Sequence, residues 1–234
     1  MKAIFKREFY SYFTSIIGYV FLAVLYLFGG VFFWTTCLYV GNADVSGVYA
    51  NMLMIVLLLI PILTMRLLSE EFKQKTDQAL FTAPIRTWSI AMGKYLSALA
   101  MYLIGILIIP VYSVIVSFYV MPDWAVVLGN FVGLFLIGAA LIAIGLFISS
   151  ITESQIVAAV ASYAVSIFIL LIDGIATLFS NSVVYNVLNY ISFSQHFRNF
   201  TLGIFNVTDV VFFLSISVLF IFLTSRMLEK KRWN

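Results

Sequence analysis

The sequence predicts an all-α membrane protein of six transmembrane helices, and three observations carry that expectation. Hydrophobic residues fill 63% of the 234 positions and charged residues only 10%, against about 45–50% and about 25% in soluble domains. The apolar residues fall in runs long enough to cross a bilayer, which takes about 20 in succession. The basic residues are also segregated. With an even number of crossings, Lys2, Lys6, Arg7, Arg66, Lys73, Lys75, Arg86, Lys94, Arg226, Lys230, Lys231 and Arg232 share one side, and Arg198 alone takes the other. Because cytoplasmic loops hold the excess of Lys and Arg, both termini are expected in the cytoplasm and the chain in the inner membrane.

One integral membrane domain, 1–234, is expected, with no stretch left for a separate soluble domain of about 50 residues or more. Residues 1–15 are too polar to span. Phe5, Phe9 and Phe13 recur at helical spacing beside Lys2, Lys6 and Arg7, which reads as an amphipathic helix lying in the interface. Span 1 covers 16–40, longer than the apolar core of a cleavable signal. Span 2, 48–68, contains Pro61, which removes a backbone hydrogen bond and should kink it. Span 3, 89–119, is long enough to tilt or to bend at Pro110. Spans 4, 5 and 6 follow at 125–149, 156–179 and 210–228. Between spans 5 and 6, Val184, Leu188, Ile191 and Phe197 alternate with polar residues, as in a short amphipathic segment on the outer side.

Residues 65–94, MRLLSEEFKQKTDQALFTAPIRTWSIAMGK, form the one long polar interruption. Phe72, Thr76, Ala79, Leu80 and Ala83 recur at helical spacing, with Lys73, Lys75, Asp77 and Gln78 on the other sides, so a short cytoplasmic helix over 72–83 is expected. Pro84 disfavours helix at the residue before it and marks the end. Arg66 and Glu70 stand at i, i+4, a spacing that allows an ion pair of about 0.3–0.5 kcal/mol if exposed. Trp88 suits the headgroup level where span 3 begins.

Several of these residues resemble the type-2 ABC transporter permeases, in particular the branch with gliding-motility and copper-processing permeases. That family carries R-x-x-S-E-E after a Pro-containing second span, then G-T-x-E-x-L-L-T-x-P, then an apolar position and G-K at the head of span 3. This chain has Arg66, Ser69, Glu70 and Glu71, then Thr76, Leu80, Thr82 and Pro84, then Ile90, Gly93 and Lys94. It departs at Lys75, where the family usually has Gly, and at Gln78, where it often has an acid. Thr152-Glu153-Ser154-Gln155-Ile156, with Ala158 and Ala159, is similar to the family's second cytoplasmic loop.

The resemblance implies the membrane subunit of an ATP-driven transporter, an exporter that pairs with a second permease copy or a relative and with two separate ATPase subunits. Spans 1, 2 and 5 would meet at the dimer axis, and the helix between spans 2 and 3 would dock in a groove of the ATPase. The contact residues implied are Glu70, Glu71, Phe72, Lys73, Lys75, Thr76, Asp77, Leu80, Thr82, Pro84, Thr152 and Glu153, with Pro61, Arg66, Gly93 and Lys94 as orienting residues. ATP and magnesium belong to the partner, because Gly93-Lys94 has Trp88 where a P-loop needs Gly and Tyr95 where it needs Ser or Thr.

No catalytic or metal site is expected. His196 has no Cys or carboxylate at metal-ligand spacing, and Cys37 is the only cysteine. Asp173 is the one acid within an expected span, a candidate for the transport path because charge there is costly. Gly129 and Gly133 in span 4, and Ala158, Ala159, Ser162 and Ser166 in span 5, allow close helix packing. Two other functions fit the composition: a scaffold for a motility or secretion complex, and an enzyme acting on lipid with His196 and Asp209. Nucleic acid is not an expected partner.

Overall fold

The computed structural model describes residues 1–41, 44–76, 85–178 and 190–233, with the backbone alone over 173–178. Ten helices lie in these segments: α1 Lys2–Thr14, α2 Ile16–Phe33, α3 Ser46–Thr64, α4 Ser69–Gln74, α5 Thr87–Ile106, α6 Ile108–Ser117, α7 Trp124–Ile151, α8 Gln155–Leu178, α9 Phe193–Thr201 and α10 Val207–Trp233. No strand occurs among the described residues. Six helical segments are long and apolar enough to cross a membrane: Ile16–Leu38, Ser46–Gln74, Thr87–Ser117, Trp124–Ile151, Gln155–Ile172 and Val207–Trp233.

The bundle is built around α7, which packs against α3, α4, α5, α6, α8, α9 and α10. Its sequence explains this central place. Gly129, Gly133, Gly138 and Gly145 remove the side chains that would hold neighbours away. A Cβ on Gly138 would stand 2.1 Å from the ring of Tyr102, and one on Gly145 would stand 2.2 Å from the hydroxyl of Thr64. Tyr102 also donates from its hydroxyl to Leu134 O at 2.7 Å, so this buried aromatic is fixed to α7 at both ring and tip. Gly129 and Gly133 receive Phe200 of α9 in the same way. Asp123 starts the helix by accepting from Ala125 N at 2.9 Å, as an N-cap should.

Two spans depart from regular helix for local reasons. Pro110 has no N–H for Ile106 and its ring crowds that carbonyl, and the third span is interrupted at Leu107, between α5 and α6. At the far end of α2 the chain widens into a single π turn over Trp34–Leu38, with Tyr39 N bonded to Trp34 O at 2.8 Å. Thr36 and Thr35 add back-bonds from their hydroxyls to Phe32 O and Val31 O, the kind of competing contact that accompanies such bends.

All four tryptophans stand at helix ends. Trp34 ends α2 and Trp124 opens α7 on one face, while Trp88 opens α5 and Trp233 closes α10 on the other. Each is at least 41% exposed, as expected of rings at the two membrane–water interfaces.

The close approach at Gly138 gives a first test. Gly138→Ala places a methyl against a fully buried ring and should lower stability by about 1–3 kcal/mol. A denaturation midpoint in detergent equal to that of the parent would contradict this packing.

Candidate functional site

The polar segment after the second span lies at the basic end of the bundle. Its helix differs from the one expected. Helix α4 starts at Ser69, three residues before the expected start, and ends at Gln74, where Lys75 takes a left-handed conformation, φ 55° and ψ 24°; residues 77–83 of the expected helix lie outside the described residues. Lys75 is the only described non-glycine residue with positive φ. That conformation costs an L-residue roughly 1–2 kcal/mol and suits glycine, and this is the position where the resembling permeases carry Gly. Expected contact residues Asp77, Leu80, Thr82 and Pro84 lie outside the described residues.

The start of α4 is capped from another helix. Leu68 precedes it and has no hydroxyl to offer, so Ser149 of α7 supplies one. Its Oγ accepts from Leu68 N and Ser69 N, both at 3.0 Å, and donates to Met65 O at 3.1 Å. Ser69 Oγ also donates to Met65 O. Helix α4 packs on the facing ends of α7 and α8, which flank the loop with Thr152 and Glu153. In that loop Thr152 Oγ1 accepts from Ser154 N at 3.2 Å, while Glu153 is exposed. The two polar segments expected to share a role are therefore neighbours.

Glu71 and Phe72 point inward. Phe72 is buried, and Lys231 near the end of α10 places its Nζ 3.5 Å from the ring centre. Glu71 enters a four-charge cluster built from three helices. Lys94 of α5, with its side chain 1% exposed, lies 3.0 Å from Glu71 Oε2 and 3.2 Å from Glu8 Oε1 of α1. The third contact of its ammonium is Leu67 O, at 2.6 Å. Arg7 closes the ring from outside, 2.6 Å from Glu8 and 2.5 Å from Glu71. Two cations thus meet two carboxylates, the arrangement in which a buried lysine stays charged at least cost.

Gly93 makes the cluster possible. A Cβ there would come within 3.0 Å of Ile4, so its absence lets α1 lie close enough for the next residue, Lys94, to reach Glu8. The buried face of α1 is accordingly Ile4, Glu8 and Tyr12, one residue out of phase with the phenylalanines. Phe5, Phe9 and Phe13 form a row of contacting rings that stays half-exposed.

The expected Arg66–Glu70 pair is replaced. Arg66 turns to α1, donating to Ser11 O at 3.2 Å and lying over the ring of Tyr12, while Glu70 accepts from Gln74 at 3.3 Å. Tyr12 itself donates to Leu63 O at 3.3 Å. Pro61 falls three residues before the end of α3, directly ahead of this junction.

Charge compensation is visible in the ionisation of α1. Burial alone would raise the Glu8 carboxyl, but Lys94 and Arg7 outweigh it and hold it below its ordinary value of 4.5. Arg7 is held above its ordinary value by Glu8 and Glu71, against the opposing effect of burial. The Tyr12 phenol is raised by burial.

At the opposite end the fold brings His196 and Asp209 together. His196 Nδ1 is 2.5 Å from Asp209 Oδ1 and its Nε2 3.1 Å from Tyr190 O, while Asn199 donates to Asp209 Oδ2 at 2.7 Å. Phe212 stacks on the imidazole at 4.0 Å. His196 Nδ1 and Asn199 fasten α9 to Asp209 of α10, while His196 Nε2 meets the chain at Tyr190, ahead of α9. The side chain of Asp173, on α8, lies outside the described residues.

Residues 3–233 match the family described as ABC-2 family transporter protein. The chain belongs to that family, and so is a transmembrane subunit of an ABC transporter that works with an ATP-binding ABC subunit. Such subunits are normally not themselves catalytic. No curated protein matches the sequence.

Sequence reasoning did not reach Arg7 and Glu8 as partners of this site, nor Ser149. For Glu8 a signal existed, its place between Ile4 and Tyr12 at helical spacing. Ser149 offered none, since a hydroxyl at a span end is ordinary.

Two outcomes are expected of this geometry. Lys75→Gly relieves the left-handed strain and should stabilise the end of α4 by about 1 kcal/mol, read as slower amide exchange over residues 70–75; unchanged or faster exchange would contradict it. Glu8 has a depressed folded-state value, so its contribution is complete above its ordinary 4.5 and is lost as pH falls through the lower value. A spin label at position 6 should become mobile only in that acid range, and Glu8→Gln should abolish the step.

Proposed function

We propose that this chain is the permease of an exporter in the cytoplasmic membrane, with both termini in the cytoplasm, and that α4 receives the movement of a separate ATPase. Two copies of the chain would pair with two ATPase subunits, which hold the ATP and magnesium. The observation that carries this reading is the two-sidedness of α4. One face is tied to α1, α5, α7 and α10 through Glu71, Phe72 and the Ser149 cap. The other presents Lys73, Gln74, Lys75 and Thr76 exposed.

A push on the exposed face would therefore reach four helices at once. Glu71 and Phe72 act inward in this reading, with Lys73, Lys75, Glu153 and residues 77–84 left to meet the partner. Export is preferred because nothing in the sequence suggests a docking surface for an external binding protein. The scaffold alternative shares this architecture, and ATP-dependent flux in proteoliposomes separates the two.

Charge reversal at the two exposed lysines, Lys73→Glu with Lys75→Glu, should abolish co-purification with the ATPase and its stimulated ATP hydrolysis. The unfolding free energy should stay within about 0.5 kcal/mol of the parent, as for surface substitutions. Full ATPase stimulation in the folded double variant would reject α4 as the receiving element.

A further inference from the structure

We propose that the cleft between the start of α5 and the end of α10 binds the phosphate of an anionic phospholipid headgroup. The cleft has a volume of about 320 Å³ and is lined by Arg86, Thr87, Trp88, Glu229, Arg232 and Trp233. That volume is at the small end of ligand sites, roughly 300–1,000 Å³.

Its free charge is positive. Arg86 is exposed and has no carboxylate partner among the described residues. Arg232 is exposed and commits one nitrogen, Nη1, to Ile85 O at 3.3 Å, leaving the rest of its fork open. Glu229 is the one carboxylate in the lining, and both its oxygens are taken. Thr87 donates to Oε1 at 3.1 Å, and Arg226 reaches Oε2 at 2.8 Å. Two guanidinium groups thus line the cleft with no carboxylate partner among the described residues, and planar forks of this kind match phosphate oxygens in pairs.

The depth of the cleft selects a lipid as the source of that phosphate. Trp88 is 41% and Trp233 87% exposed, and indoles at span ends settle at the headgroup level. They bracket the arginines at the height where lipid phosphates lie. A large exposed indole such as Trp233 gains by entering the interface and gains nothing from bulk water. The bound lipid would steady the turn that carries Lys231 onto Phe72, and so the seat of α4. The site itself does not depend on the ATPase reading.

Native mass spectrometry of the full chain in detergent, with phosphatidylglycerol and phosphatidylcholine offered together, tests the proposal. The parent should retain phosphatidylglycerol selectively, and Arg86→Gln and Arg232→Gln should each reduce that selectivity by about fivefold. Lys230→Gln, outside the cleft, and Arg198→Gln, at the opposite face, should keep it within roughly twofold. All four positions are exposed, and melting curves would show that each variant is folded. An equal loss in Lys230→Gln would mean a diffuse basic surface and overturn the site, as would a parent without selectivity. Displacement of the lipid by inorganic phosphate at matching concentration would assign the cleft to a soluble anion and overturn the lipid reading.

Discussion

The ammonium of Lys94 is the constraint on which the basic end of this protein depends. It is removed from water on α5, and an isolated charge there would cost several kcal/mol after relaxation. Its neutralising partners come from outside its own span: Glu8 from the N-terminal helix, Glu71 from α4, and the carbonyl of Leu67 from the junction between α3 and α4. Of those elements α4 has only six residues and Leu67 lies in the irregular junction ahead of it, while α1 is a helix outside the spans. The charge makes their positions interdependent, since displacing α1 or α4 leaves Lys94 under-compensated.

Ser149 supplies the second half of that arrangement. A single hydroxyl satisfies two amides and one carbonyl at the place where the chain leaves α3 and begins α4. Together with the contact of Lys231 on Phe72, it ties a six-residue helix to both a central and a peripheral span. For a membrane subunit that works with a separate ATP-binding subunit, this joins the exposed lysines of α4 to the body of the bundle by polar contacts of defined geometry. Apolar packing dominates elsewhere, above all along the glycine-lined flank of α7.

The bundle was legible in the sequence because hydropathy and charge segregation are properties of one stretch at a time. Spans reveal themselves by length, and the basic side by counting. Proline behaved as a local rule too, for Pro110 forced the break one turn before it. The site was only partly legible because its decisive contacts are between distant residues. Glu8 and Lys94 are far apart in sequence, and each looks like an ordinary interfacial charge by itself. The i, i+4 pairing of Arg66 with Glu70 was a sound local inference, overridden when Ser11 and Tyr12 offered Arg66 a tertiary partner. Lys75 is the opposite case. The position where the resembling permeases have glycine is the one that takes the left-handed conformation and ends α4.

The π turn at Trp34–Leu38 has a consequence for how this chain tolerates change in length. A turn of this kind holds one residue more than an α-helical turn over the same rise. Removing a residue there would let the segment relax to ordinary helix, leaving Ile16–Phe33 in its present register against α3 and α5. The same deletion within Ile16–Phe33 would rotate every following side chain by about 100°. The bend therefore acts as a reservoir of slack, confining insertions and deletions to the rim of the bundle and sparing its interior.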